Sequence, residues 1–158
     1  MATYAKATTV TVARSRAEIE STVEKYGADQ FFSGWDSDSA FVAFRIHGRQ
    51  IKMVVPMPQE TDEGIRMWRH SSGRMVERPA SERKSQLAQA QRTRWRALLL
   101  NIKAKLEAAE SGISTIEREF LAHIMLPDGN TVGDWAEPQL RATYDSGDMP
   151  PMIAGPRS

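Results

Sequence analysis

The chain has no cysteine among its 158 residues, which excludes disulfide frameworks, thiolate zinc sites and cysteine nucleophiles. At this length a single domain buries a core without such staples. No stretch approaches the ~20 apolar residues of a membrane span, and Met1 to Thr9 lack the apolar run of a signal peptide. The expectation is a soluble cytoplasmic protein with no membrane partner. Histidine is scarce: His47, His70 and His123 lie far apart, in no metal-ligand spacing. There is no Gly-x-x-x-x-Gly-Lys loop, no Gly-x-Gly-x-x-Gly after a strand and no Gly-x-Ser-x-Gly. Asp29, Asp36 and Asp38, or Asp128 with Asp134, offer carboxylates for magnesium, but Asp36-Ser37-Asp38-Ser39 reads instead as a turn whose side chains bond the local backbone. No catalytic residue, metal or cofactor is expected.

Charge of one sign is lacking only in the sum, 21 Lys+Arg against 20 Asp+Glu. Residues 1–44 carry four bases against six acids, residues 45–105 fourteen against five, and residues 106–158 three against nine: −2, +9 and −6. A strongly basic middle is hidden by a neutral total, and such asymmetry points to a partner. Three surfaces can face that middle: a strand of nucleic acid, a neighbouring subunit's acidic third, or the chain's own C-terminal part.

Along the chain, the β-branched run Thr8-Thr9-Val10-Thr11-Val12 predicts a strand. Ser15-x-x-Glu18 has the form of a capping box, opening a short helix that Gly27 closes. Gln30–Trp35 and Ala40–Ile46 read as a hairpin across Asp36–Ser39, and Gly48 allows a tight turn into Gln50–Val55, ended by Pro56 and Pro58. Residues 56–80, broken by prolines and glycines, read as a long loop or extended arm. Ser81–Ser111 predicts a long helix stopped by Gly112. Trp95, Leu98, Ile102, Leu106 and Ala109 form its core stripe, with Arg92, Arg96 and Lys103 within about 40° of one another beside it. A second capping box at Ser114–Glu117 predicts a helix through Met125, followed by the turn Pro127–Asn130. Thr131–Trp135 suits either a short strand or the lead-in to a helix reaching Tyr144, with Pro138 confining its start. Residues 148–158 read as an extended or disordered tail after a single domain at 1–147. The fold class is α+β: a three- to four-stranded antiparallel sheet packed by the short and the long helix, with a C-terminal helical extension.

The chemistry-bearing pattern is arginine interleaved with tryptophan: Arg66-Met67-Trp68-Arg69-His70 in the loop and Arg92-Thr93-Arg94-Trp95-Arg96 in the helix. Phosphate binding uses several cations whose counterions leave together, and single strands add base stacking on aromatic faces. Trp95 also fits the core stripe, and Trp68 can equally tuck back onto the domain. In residues 45–105 ten of the fourteen bases are arginine, whose fork matches phosphate.

The order strand, short helix ending in Tyr26-Gly27-Ala28, aromatic strand, hairpin of Phe41 to Val55, long loop and long Arg-rich helix resembles the core of phage single-strand annealing proteins of the Erf and Redβ type over residues 8–111. A small cysteine-free chain with Leu126-Pro127-Asp128-Gly129 and a proline-rich tail is also similar to proteins of tailed phages. The resemblance implies rings or filaments binding single-stranded DNA along a basic groove, in a host cytoplasm, without a nucleotide cofactor. It supplies no catalytic residue.

The expectation is therefore sequence-independent binding of single-stranded nucleic acid, DNA above all, with annealing as its use and a homo-oligomer as its form. Arg92, Arg96 and Lys103 would hold phosphates, Arg66 and Arg69 would clamp from the loop, and Trp68 would stack a base. The alternative is a phage or mobile-element protein that binds and inhibits a host protein through residues 56–80. An enzyme with an unrecognised site is a third.

Overall fold

A computed structural model of the protein describes residues 5–149. Its elements run α1 (Val12–Lys25), β1 (Gln30–Trp35), β2 (Ser39–Ile46), β3 (Arg49–Pro56), α2 (Glu63–Arg66), β4 (Met67–Arg69), β5 (Met75–Glu77), α3 (Ala80–Glu110), α4 (Ile116–Glu119), a 3-10 turn at Leu121–His123 and α5 (Val132–Ser146). The fold is α+β. β1, β2 and β3 form one antiparallel sheet in that order, and β4 and β5 form a separate two-stranded one.

The β1–β2 register sets Ser33 opposite Val42, and the β2–β3 register sets Val42 opposite Met53 and Phe44 opposite Ile51. Alternation then puts Ala40, Val42, Phe44, Ile46, Ile51 and Met53 on one buried face. Against it pack Ile19 and Val23 of α1, Trp95, Leu98, Leu99, Ile102 and Leu106 of α3, and Phe120, whose ring meets Phe44 edge-on at 5.6 Å. The turn between β2 and β3 has His47 and Gly48 both at positive φ, 48° and 73°, as a two-residue hairpin turn of the primed type requires. On the opposite sheet face the Phe41 ring lies across Gly34, where an added Cβ would come within 2.6 Å of its edge.

The chain departs from expectation at three places. Thr8–Val12 is not a strand: the Thr11 hydroxyl accepts from the Arg14 N–H and caps α1, and Val12 begins the helix. Buried positions 15, 19, 22 and 23, with half-buried Val12 packed beside them, continue the helical stripe backwards, so burial overrides the β preference of Thr and Val. Ser15 is consequently a buried mid-helix residue rather than a cap. The long loop at 56–80 is a structured arm, described below. The helix expected through Met125 stops at Glu119 because the chain turns to meet the sheet: Met125 N donates to Gln50 O at 2.8 Å, and Ile124 bridges Ile51. This gives the exposed edge of β3 a backbone partner. Of the two readings open for Thr131–Trp135, the helix is the one formed: Val132–Ser146 is a helix, opened by a Thr131–Asp134 capping box, with Pro138 inside its second turn. The expected tail falls largely on residues 150–158, outside the described residues.

Candidate nucleic-acid interface

The arm grows from the end of β3. Asp62 O accepts from the N–H groups of Ile65 and Arg66 and forms the single turn of α2, whose buried Ile65 pins the arm to α3. β4 and β5 then pair Met67 with Glu77, Trp68 with Val76 and Arg69 with Met75. Arg83 of α3 clamps the base, its Nε 3.2 Å from Glu60 and its Nη1 3.0 Å from Glu77. At the tip His70 N donates to Arg74 O, and the His70 ring meets Trp68 edge-on at 5.5 Å.

This hairpin carries Arg66, Arg69, Arg74 and Arg78 against the single acid Glu77, which Arg83 already holds. Arg66, Arg69 and Arg74 are exposed, and none forms a side-chain ion pair among the described residues. Trp68 is 36% exposed. Between the arm's base and α3 runs a groove of about 680 Å³, walled by Gly64 and Ile65 on one side and by Thr93 and Arg94 on the other, with Lys6 at its edge. Among the described residues no acidic side chain lines it.

The three cations expected on α3 have different surroundings. Glu18 of α1 lies between Arg96 and Lys103: its Oε2 accepts from Arg96 Nη1 at 2.8 Å and its Oε1 from Lys103 Nζ at 2.6 Å. These bonds, led by that from Lys103, hold the Glu18 carboxyl below its ordinary value against the opposing effect of burial. Tyr26 continues the seam by donating to Glu107 at 2.8 Å. Arg92 is turned onto the Gln89 side-chain oxygen, while the Gln89 amide donates to the carbonyls of Lys6 and Thr8. The geometry thus gathers Arg66, Trp68 and Arg69 on the arm and assigns Arg96 and Lys103 to the α1–α3 seam.

The acidic C-terminal third makes no ion pair with the basic middle among the described residues. The middle is met by Glu18 and Asp29, the latter gripping Arg45 at 2.6 Å. Lys6 was not singled out by the sequence pattern, and Arg94 stood in the Arg92–Arg96 run without an assigned role. The available signal was Gln86, Ala90, Thr93 and Ala97 at i, i+4, i+7 and i+11, a small and polar stripe turned from the core side of α3. Among the described residues no three His, Asp or Glu side chains group as a metal site, and no helix is long and apolar enough to cross a membrane. No protein-family model, no curated protein and no solved structure matches the chain.

Proposed function

We propose that the protein binds single-stranded nucleic acid, preferentially DNA, without reading its sequence, using the arm and the groove beside it. Three arginines without carboxylate partners beside a partly exposed tryptophan, on a hairpin next to an acid-free groove, carry this reading. Arg66 and Arg69 neutralise phosphates, Arg94 and Lys6 continue the positive path along the groove, and Trp68 stacks a base. The cations are guanidinium groups for the most part, whose forks grip phosphate bidentately without reading a base. Arg92, whose only hydrogen-bond partner among the described residues is the neutral amide of Gln89, a groove-lining residue, adds charge beside it. The annealing role expected from the phage-protein resemblance belongs to the same proposal: two strands bound by backbone, with bases left free to pair.

Fluorescence anisotropy of a labelled 30-mer tests the reading. Binding should be saturable at low salt and weaken as salt rises, with a log–log slope near 0.7 per phosphate neutralised. Absence of binding at low salt would overturn it, as would retention of full affinity by Arg66→Glu with Arg69→Glu.

A further inference from the structure

The two edges of the three-stranded sheet are finished differently. β3 is met by the following chain, Met125 N donating to Gln50 O and Ile124 bridging Ile51. The other edge is β1. The two-residue turn at His47 and Gly48 makes Ile46 and Arg49 a hydrogen-bonded pair, so even-numbered residues of β2 bond to β3 and odd-numbered ones bond to β1. Asp36 N donates to Ser39 O at 2.9 Å in the same phase. Along β1 this phase turns the N–H and C=O groups of Phe31, Ser33 and Trp35 away from β2, and among the described residues no backbone group takes them.

An open edge is ordinarily blunted by a charged side chain or a proline. Gln30-Phe31-Phe32-Ser33-Gly34-Trp35 has neither, and two of its rings stand open to solvent, Phe32 at 62% and Trp35 at 69%. Beside this edge α1 carries one charge of each sign. Arg16 lies over Trp35, its Cζ 4.8 Å from the ring centre, and donates to Ser33 Oγ at 2.9 Å. Glu20, one turn later, lines a small cleft of about 180 Å³ with Gln30 and Phe31. Neither Arg16 nor Glu20 forms an ion pair among the described residues.

We propose that β1 pairs antiparallel with β1 of a second copy of this chain, about a two-fold axis at Ser33, joining the two sheets into one. Outward groups then meet outward groups: Ser33 meets the partner's Ser33, and Trp35 meets the partner's Phe31. On the open sheet face Phe32 stands against the partner's Gly34, which has no side chain of its own to oppose it. An axis normal to the sheet keeps both α1 helices on one face and antiparallel. Since Trp35 faces the partner's Phe31, Arg16 comes to face the partner's Glu20, and Glu20 the partner's Arg16. The exposed flank of α1 next to these two carries Ala13 and Ala17, whose small side chains let a neighbouring helix approach. The contact is self-complementary in hydrogen bonds, shape and charge. It uses neither the arm nor the groove, so it stands or falls separately from strand binding there.

Sedimentation equilibrium of the full chain from micromolar to millimolar concentration, without nucleic acid, should show a monomer–dimer equilibrium. Glu20→Arg sets arginine against arginine at both ends of the contact and should raise the dissociation constant about tenfold or more, and Arg16→Glu should do the same with the signs reversed. Mixed in equal amounts, the two variants should associate close to the wild-type constant, because every like-charge contact becomes an opposite-charge one. Amide hydrogen exchange on the wild type reads the edge itself. The N–H groups of Phe31, Ser33 and Trp35 should exchange freely in the dilute monomer and gain protection as the dimer forms, while those of Phe32 and Gly34 stay protected throughout. A chain that remains monomeric to millimolar concentration would overturn the proposal, as would a dimer in which the three outward amides stay unprotected. Protection of those amides already in the monomer would also overturn it, by showing that a segment of the same chain covers the edge. None of these outcomes bears on anisotropy of the arm variants.

Discussion

Trp68-Arg69 on the arm and Trp95-Arg96 in α3 are the same dipeptide, each with a further arginine close before it, and the fold treats them in opposite ways. Trp95 is 4% exposed and Arg96 donates to Glu18, whereas Trp68 is 36% exposed and Arg69 has no carboxylate. The difference lies in what is laid alongside. α1 runs against α3 and supplies a carboxylate 78 residues away in the chain, while the arm projects from α3 with only its base held. An arginine–tryptophan pattern is therefore a statement about available chemistry, and tertiary neighbours decide whether it becomes glue or a binding surface.

The largest expected effect attacks the glued side. Glu18→Lys sets a third cation between Arg96 and Lys103, whose side chains are 26% and 41% exposed. The cost should be about 2 kcal/mol, between the values below ~1 for exposed pairs and the ~3–5 for breaking buried ones. A thermal melt should then fall by roughly 4–8 °C. If the melt does not move, the seam is not a structural contact and the contrast with the arm collapses.

Next comes the open side. Trp68→Ala should weaken binding of a single strand by ~1–3 kcal/mol, the loss of one stacked base. Its melt should stay within ~0.5 kcal/mol of wild type, as for surface positions away from special features. A large drop in stability with unchanged affinity would make Trp68 a packing residue like Trp95.

The smallest effect is in pH. The Glu18 carboxyl lies below its ordinary value of 4.5 in the folded protein because Lys103 and Arg96 donate to it. The stability it contributes is present above 4.5 and is lost as pH falls from there through the lower folded value. The difference in melting temperature between wild type and Glu18→Gln should therefore shrink below pH 4.5 and stay constant above pH 6. A difference that grows on acidification would contradict the ion-pair assignment.

How much of this could be read from the sequence follows from the same contrast. The three-stranded sheet and α3 were legible to within a residue or two because alternating apolar positions and the 3.6-residue stripe are local signals. Glu18 was legible only as half of a capping box with Ser15. The Ser-x-x-Glu spacing recurs at i and i+3 inside any helix, and nothing local says that Glu18 turns toward α3. The helix expected through Met125 failed for a non-local reason too, the unpaired edge of β3, which Met125 reaches with a single hydrogen bond. On the arm, Arg66, Trp68 and Arg69 were legible because a proline- and glycine-broken segment offers few partners that cancel a charge. The same break concealed the hairpin, since strands of three residues are too short for periodicity to register. Lys6 escaped notice, and Arg94 was read only as one of a run of helix arginines, because a groove belongs to two segments far apart in the chain.

The measurement that bears most directly on the whole account is the salt dependence of single-strand affinity for wild type, Arg66→Ala with Arg69→Ala, and Arg96→Ala. The arm variant should lower the log–log slope by about 1.4, close to 0.7 for each phosphate contact removed, while Arg96→Ala keeps the wild-type slope and loses only thermal stability. A slope that falls with Arg96→Ala and stays put in the arm variant would contradict the account and return the binding surface to the face of α3.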